Sequence, residues 1–275
     1  VYKRQTGDYV ASQAGYEKVI SFKPDYAVAW YGLAQAFEAQ ENYPQAVINV
    51  SRAIELEDAY APFYVLSSKV KLALGDHQGT VEDATKAIKL DPENRDAFFY
   101  RAEALLSIDL AEKAELDYAA AIKCDKNFAM AYYKRGICSE KLADYRGAKS
   151  FFKKAIKKNK QFKEAYIKRA DIWLKLEKPK KALPDLTSAI SINKENIDLL
   201  LRRGFLRMDL LDFQRASDDF GQVVKRKPEL AEAHYGLGNS RYQIGNIKSA
   251  CKEWKIALEL GDIRAAEQIS KYCIE

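Results

Sequence analysis

From Ala27 to Leu56 the apolar residues fall into two stripes. Trp30, Leu33, Ala34 and Phe37 form the first, and Ala46, Val50, Ala53 and Ile54 the second. Spacings of three and four residues in both halves predict two amphipathic helices. Asn42-Tyr43-Pro44 marks the turn between them, with Pro44 placed for a first helical turn. The same pair of stripes returns every 34 residues to the end of the chain. Ala46 is followed at that period by Thr80, Ala114, Ala148, Ala182, Ala216 and Ala250, and Ala53 by Ala87, Ala121, Ala155, Ala189, Val223 and Ala257. A third small column runs Ala34, Ser68, Ala102, Gly136, Ala170, Gly204, Gly238, beside a bulky one of Trp30, Tyr64, Phe98, Tyr132, Tyr166, Leu200, His234. Small side chains let two helices approach, and the bulky residue fills the groove between them. A period of this length predicts a stacked array in which no unit buries its apolar face alone.

The unit resembles the tetratricopeptide repeat: a bulky residue, small residues, a turn, Ala, an aromatic, Ala, and a closing Pro. The resemblance is fullest in Ala231-Glu-Ala-His-Tyr-Gly-Leu-Gly-Asn-Ser-Arg-Tyr-Gln-Ile-Gly-Asn, followed by Ala250, Trp254 and Ala257. Seven units tile residues 27–60, 61–94, 95–128, 129–162, 163–196, 197–230 and 231–264. A partial unit occupies 1–26, its second helix at about 8–23, and a capping helix follows at 265–275. Thr80 departs from the expected Ala, and the closing Pro remains only at Pro24, Pro92 and Pro228. The resemblance implies an all-α, right-handed solenoid of the type many bacterial proteins carry, and we expect one elongated module without an internal linker. Val1 lacks an initiator Met and falls where a first helix should be under way, so the sequence reads as a fragment, with Val1–Gln5 a remnant of cloning or assembly.

Pro184 lies where the second helix of the fifth unit should run, and it predicts a bent or delayed helix. Gly261 should stop a helix and Asp262 cap the next, on which Ala265, Ala266, Ile269, Tyr272 and Cys273 form the stripe of a lid.

Hydrophobic residues at 48% and charged residues at 31% describe an ordinary globular composition, without the roughly 20-residue apolar run of a membrane helix. His77 and His234 lie far apart in sequence, and no Cys-x-x-Cys, His-Glu-x-x-His or Gly-x-Ser-x-Gly motif occurs. An enzyme, a metal centre or a cofactor is therefore not expected. Gly236 and Gly238 fall inside a predicted helix and read as packing residues. Cys124 and Cys138 read as core filler. Cys251 and Cys273 fall on consecutive helices, and the close of the chain resembles certain exported bacterial repeat proteins. A bridge there would place the protein in an oxidising, extracytoplasmic compartment, and free thiols would leave it cytoplasmic.

Charge is uneven. From Arg146 to Lys181 fourteen Lys or Arg face Glu164, Asp171 and Glu177, a local net of +11 in a chain of +6. Lys149, Lys153, Lys154, Lys157 and Lys158 lie on the second helix of the fourth unit, which in this family faces outward. A solvated convex face accounts for them, and an acidic partner or anionic surface could use them. The belt lacks a nucleic-acid-binding motif, which disfavours nucleic acid.

In proteins of this fold the first helices line a concave groove through the second, fifth, ninth and twelfth residues of each unit. The fifth-residue column reads Tyr31, Val65, Phe99, Tyr133, Ile167, Leu201, Tyr235. Relatives that clamp a terminal carboxylate use Lys and Asn there; only Asn239 resembles that set, which disfavours that activity. The groove is instead apolar at Tyr133, Ile137, Ile167, Leu174, Leu201, Phe205 and Met208, with Asp171 as a polar contact. Leu201, Phe205 and Met208 predict a first helix in the sixth unit that is apolar on nearly all sides. The resulting expectation is a non-catalytic scaffold that binds an unidentified protein or peptide in its groove. The alternative is an adaptor that uses the belt. Neither the partner nor the oligomeric state is legible in the sequence.

Overall fold

A computed structural model describes residues 6–273, so the reading of Val1–Gln5 lies outside the described residues. Sixteen α-helices and no strand occur among the described residues. The chain divides into two compact units, 1–158 and 159–275. Unit 1 opens with α1 (Thr6–Phe22) and continues with four helix pairs. These are α2 (Ala27–Ala39) with α3 (Tyr43–Leu56), α4 (Ala61–Ala73) with α5 (His77–Leu90), α6 (Arg95–Ser107) with α7 (Ala111–Cys124), and α8 (Ala129–Lys141) with α9 (Tyr145–Lys158). Unit 2 holds three more pairs, α10 (Lys163–Lys175) with α11 (Pro179–Ile192), α12 (Ile197–Asp209) with α13 (Phe213–Arg226), and α14 (Ala231–Gln243) with α15 (Ile247–Glu259). It closes with α16 (Arg264–Tyr272).

The periodic columns explain the pairing. Ala46, Thr80, Ala114, Ala148, Ala182, Ala216 and Ala250 are all 0% exposed. At its three glycines the third small column abuts an aromatic from the second helix of its own repeat. A Cβ on Gly136 would stand 2.6 Å from the Phe152 ring, and one on Gly238 2.4 Å from Trp254. Phe220 is pinched between two glycines, Gly204 of α12 and Gly236 of α14. First helices of neighbouring repeats also touch, α2 with α4, α4 with α6, and α12 with α14, and the Glu103–Lys134 and Asp171–Arg202 pairs join α6 to α8 and α10 to α12, so within each unit the first helices form one continuous layer.

The turn between the two helices of each repeat places its fifteenth residue in the left-handed region: Glu41, Gly75, Asp109, Ala143, Glu177, Leu211 and Gly245. Asp76 and Asp144 then cap the second helix, each accepting the backbone N–H three residues on at 2.9 Å. Pro184 does not delay or break its helix. Helix α11 starts at Pro179 and runs unbroken to Ile192 with Pro184 inside it. Pro184 is exposed, so water can take the Lys180 carbonyl that loses its partner, and packing of Ala182, Leu186 and Ala189 holds the helix.

A buried charge ladder ties the two helices of several repeats. The seventh residue of the first helix meets a residue sixteen positions later. Arg101 grips Asp117 with two hydrogen bonds of 2.7 Å, Arg169 grips Asp185 at 2.8 and 2.5 Å, and Arg203 grips Asp219 at 3.0 and 2.7 Å. In the second repeat Ser67 stands in the arginine's place and donates to Asp83 at 2.5 Å, while Lys71 supplies the cation at 2.7 Å. Arg101 and Arg203 also reach back to the preceding repeat, to the hydroxyls of Thr85 and Thr187 at 3.1 and 3.2 Å. These bidentate forks satisfy charges that burial alone would penalise.

Candidate functional site

The residues expected in the groove lie on the layer of first helices, and each unit presents its own share. In unit 1, Tyr31 is half-buried with its ring 5.0 Å from that of Phe63. Burial raises its hydroxyl pKa, and Tyr60 adds to the rise. Phe99 lies between Tyr118 at 5.7 Å and Phe128 at 5.0 Å. The Tyr133 ring stands 5.7 Å from Phe152, and Ile137 is half-buried beside it on α8. Charges on this face are satisfied from the next repeat: Lys69 binds Glu38 at 2.6 Å, and Glu103 takes Lys134 at 2.6 Å as well as the Tyr118 hydroxyl. Two concavities open here. One of about 570 Å³ is lined by Tyr16, Gln35, Glu38 and Lys69. A smaller one of about 170 Å³ is lined by Tyr31, Val65, Lys69, Asp96 and Tyr100. Burial, with Asp96 and Glu38 nearby, pushes the Tyr100 hydroxyl up to about 12.

In unit 2, Ile167, Phe205 and Met208 pack against the core yet remain partly open. Leu201 is buried and Leu174 is 38% exposed. The Phe205 ring meets Phe220 edge-on, with centroids 4.9 Å apart. Asp171 is bound by Arg202 of the next first helix. Tyr235 carries the Arg264 guanidinium 4.5 Å above its ring. The amide oxygen of Asn239 accepts from Trp254 Nε1 at 2.9 Å, so half of that amide is committed to the core.

Three sequence expectations need correction. Helix α12 is not apolar on nearly all sides, because Arg202, Arg203 and Arg207 share it, paired with Asp171, Asp219 and Asp219. Cys124 is exposed at the end of α7 and does not fill the core. His234 does more than pack: its Nδ1 meets Glu253 Oε2 at 2.6 Å and its Nε2 donates to the Pro228 carbonyl at 2.9 Å. Glu253 also takes Arg241 at 2.6 Å, so the last repeat replaces the Arg–Asp fork with a three-residue cluster. Sequence reading missed the ladder itself, although Arg and Asp sixteen residues apart recur in the third, fifth and sixth repeats.

Cys251 and Cys273 form a disulfide, with Cα atoms 5.7 Å apart. Tyr272 beside it packs on Tyr242 at 4.3 Å. Asp262 does not cap α16 as expected: Ile263 holds the N-cap position, and Asp262 Oδ1 accepts the Arg264 backbone N–H at 3.2 Å in the turn before it. On α9, Lys153, Lys154, Lys157 and Lys158 are exposed and Lys149 is half-buried, while Ala148, Phe152, Ala155 and Ile156 face the core. Lys154 lies 5.4 Å from the Phe151 ring, and Lys158 donates to Asn127 at 2.9 Å.

Among the described residues no group of three or more His, Cys, Asp or Glu could hold a metal ion, and no helix is long and apolar enough to cross a membrane. Tetratricopeptide repeat profiles match residues 2–62, 67–127, 130–161 and 201–255. The chain belongs to the tetratricopeptide repeat family. A search of curated proteins gives no significant match. Among solved structures, YrrB, described as a tetratricopeptide repeat protein with an unusual peptide-binding site, is 26% identical with a TM-score of 0.60, over 70% of this chain and 99% of YrrB. PilF of Pseudomonas aeruginosa is 18% identical with a TM-score of 0.63, over 75% of this chain and 94% of its own. Yeast Tom70 aligns over 98% of this chain and 59% of its own, at 17% identity and a TM-score of 0.57. A tetratricopeptide repeat array of this kind is a scaffold for protein–protein interaction, and the fold is generally non-catalytic.

Proposed function

We propose that this tetratricopeptide repeat protein holds a peptide or helix of a partner protein against its inner first-helix face. The observation that carries this reading is the partly open apolar surface of Ile167, Leu174, Phe205 and Met208 in unit 2, repeated in unit 1 by Tyr31, Phe99, Tyr133 and Ile137. Side chains that stay half-open on an inner layer, anchored by buried rings such as Phe220, fit a helix-in-groove or extended-peptide mode of recognition. The likeness to YrrB, described as having a peptide-binding site, supports it.

The test captures native partners with the full chain and compares Phe205→Asp and Tyr133→Ala, after circular dichroism has verified their helicity. Each change should weaken binding by about 2 kcal/mol or more if these rings are anchors. Partners retained by both folded variants would sink the groove reading and favour the exposed Lys153, Lys154, Lys157 and Lys158. That alternative has its own signature, a steep loss of binding between low and moderate salt.

A further inference from the structure

The second residue of each repeat opens the inner stripe of its first helix, and in unit 2 this column is entirely acidic: Glu164, Asp198 and Glu232. In unit 1 the same column reads Val28, Pro62, Asp96 and Met130. All three unit 2 carboxylates are exposed in the first turn of α10, α12 and α14. Below them come Ile167, Leu201 and Tyr235, then Asp171, Phe205 and Asn239, then Leu174, Met208 and Tyr242. The face therefore grades from an acidic lip at the helix starts to an apolar floor. Of the three carboxylates only Glu164 has an ion-pair partner among the described residues. Lys163 lies 3.4 Å from Glu164, Arg264 stands near Glu232 but is itself held by Asp262, and Arg202 is spent on Asp171. Among the described residues Asp198 and Glu232 make no side-chain hydrogen bond or ion pair.

We infer that the unit 2 face takes a basic amphipathic helix, its apolar side on Phe205, Met208 and Leu174 and its Lys or Arg along Glu164, Asp198 and Glu232. The inference rests on the groove reading above and adds the chemistry of the partner. Charge complementarity selects the occupant, because an acidic helix would set like charges against the lip. Geometry adds a register. Packed helices lie about 10 Å apart. A helix crossing the three therefore meets one carboxylate about every seven residues at ~1.5 Å rise per residue.

The probes are two labelled synthetic helices of about 18 residues with the same apolar face, one with Lys at seven-residue intervals and one with Glu, ~27 Å long at 1.5 Å per residue. Full-length protein is titrated with each at low salt, alongside the Phe205→Asp variant and the triple variant Glu164→Gln, Asp198→Asn, Glu232→Gln. First-turn carboxylates also stabilise their own helices, so the triple variant is compared only where it remains folded. The Lys helix should bind about tenfold or more tighter than the Glu helix, and the triple variant should bring the two near parity. Equal binding of both helices to wild type, lost in Phe205→Asp, would overturn the acidic-lip inference and leave the groove standing. Binding of neither helix, or binding indifferent to Phe205→Asp, would overturn both. Tighter binding of the Glu helix would move the partner to the basic belt.

Discussion

Arg203 and Asp219 face each other across the two helices of the sixth repeat, both buried, through two parallel hydrogen bonds of 2.7 and 3.0 Å. Arg207 adds a third, at 2.6 Å, to the same carboxylate. Removing Asp219 strands two guanidinium groups in the interior. Asp219→Ala should therefore cost about 3–5 kcal/mol, whereas Arg52→Ala, which breaks the exposed pair with Glu55, should cost under about 0.5 kcal/mol. Urea midpoints of the two variants measure this. Similar shifts would mean that the fork carries no weight.

The wholly buried Ala148 tests the register of the repeats. Ala148→Trp should overpack the α8–α9 interface and cost about 1–3 kcal/mol or more. Lys154→Ala on the exposed face of the same helix should cost almost nothing. Melting curves that shift equally for both would contradict the column assignment.

Leu211 pays for a left-handed backbone, φ 60°, with a side chain that is 73% exposed. Gly75 and Gly245 occupy the same position in other repeats without that strain. Leu211→Gly should therefore stabilise the protein by about 0.5–1 kcal/mol, the left-handed cost of an L-residue less the extra chain entropy of glycine. A lower melting temperature would count against this account.

The bridge between Cys251 and Cys273 closes a loop of sequence separation 22 and clamps α16 onto α15. Reduction should lower stability by about 2–4 kcal/mol. Peptide mapping without reductant, on protein made in an oxidising compartment, should recover the two cysteines joined. Two freely alkylated thiols would remove the reason for assigning an oxidising compartment.

Alkali should destabilise the fold through Cys138. Burial, with Glu115 and Glu103 adding to it, pushes this thiol from its ordinary 9.0 up to about 12. Above about pH 9 the unfolded chain releases this proton while the native one keeps it, so the stability present below that pH falls as pH rises towards 12. Tyr100, also pushed up to about 12, acts in the same direction. Thermal melts at stepped alkaline pH should show a shallower decline for Cys138→Ala; parallel curves would exclude the thiol as a cause.

What the sequence made legible follows one period. The small columns, the turns and the lid all lie where a 34-residue repeat puts them, because volume at a helix crossing leaves a direct mark on residue size. Charge leaves no such mark. Arg203 and Asp219 look like surface residues until the turn between their helices brings positions sixteen apart face to face. Cys124 failed for the converse reason: apolar character says nothing of which side of a helix end is open. Pro184 does not delay its helix because a lost backbone bond matters less on an exposed flank than in the interior. Phe205 and Tyr133 are half-buried on their first helices, and a sequence pattern alone does not separate a core position from an open one on such a helix.

The reach of Arg203 back to Thr187 bears on how such arrays could be rearranged. In a simple tiling, any repeat could be excised and reinserted elsewhere, since all share one length and one set of small columns. Here the sixth repeat needs a hydroxyl from its predecessor, and the corresponding residue of the third repeat is Ala119. Arg202 likewise needs Asp171, where the fourth repeat offers Ile137. A shuffled or shortened chain would keep its helices but leave cations without their acceptors at the new junction. Recombination within this chain is thus constrained by polar matching at the joints as well as by the spacing of its alanines.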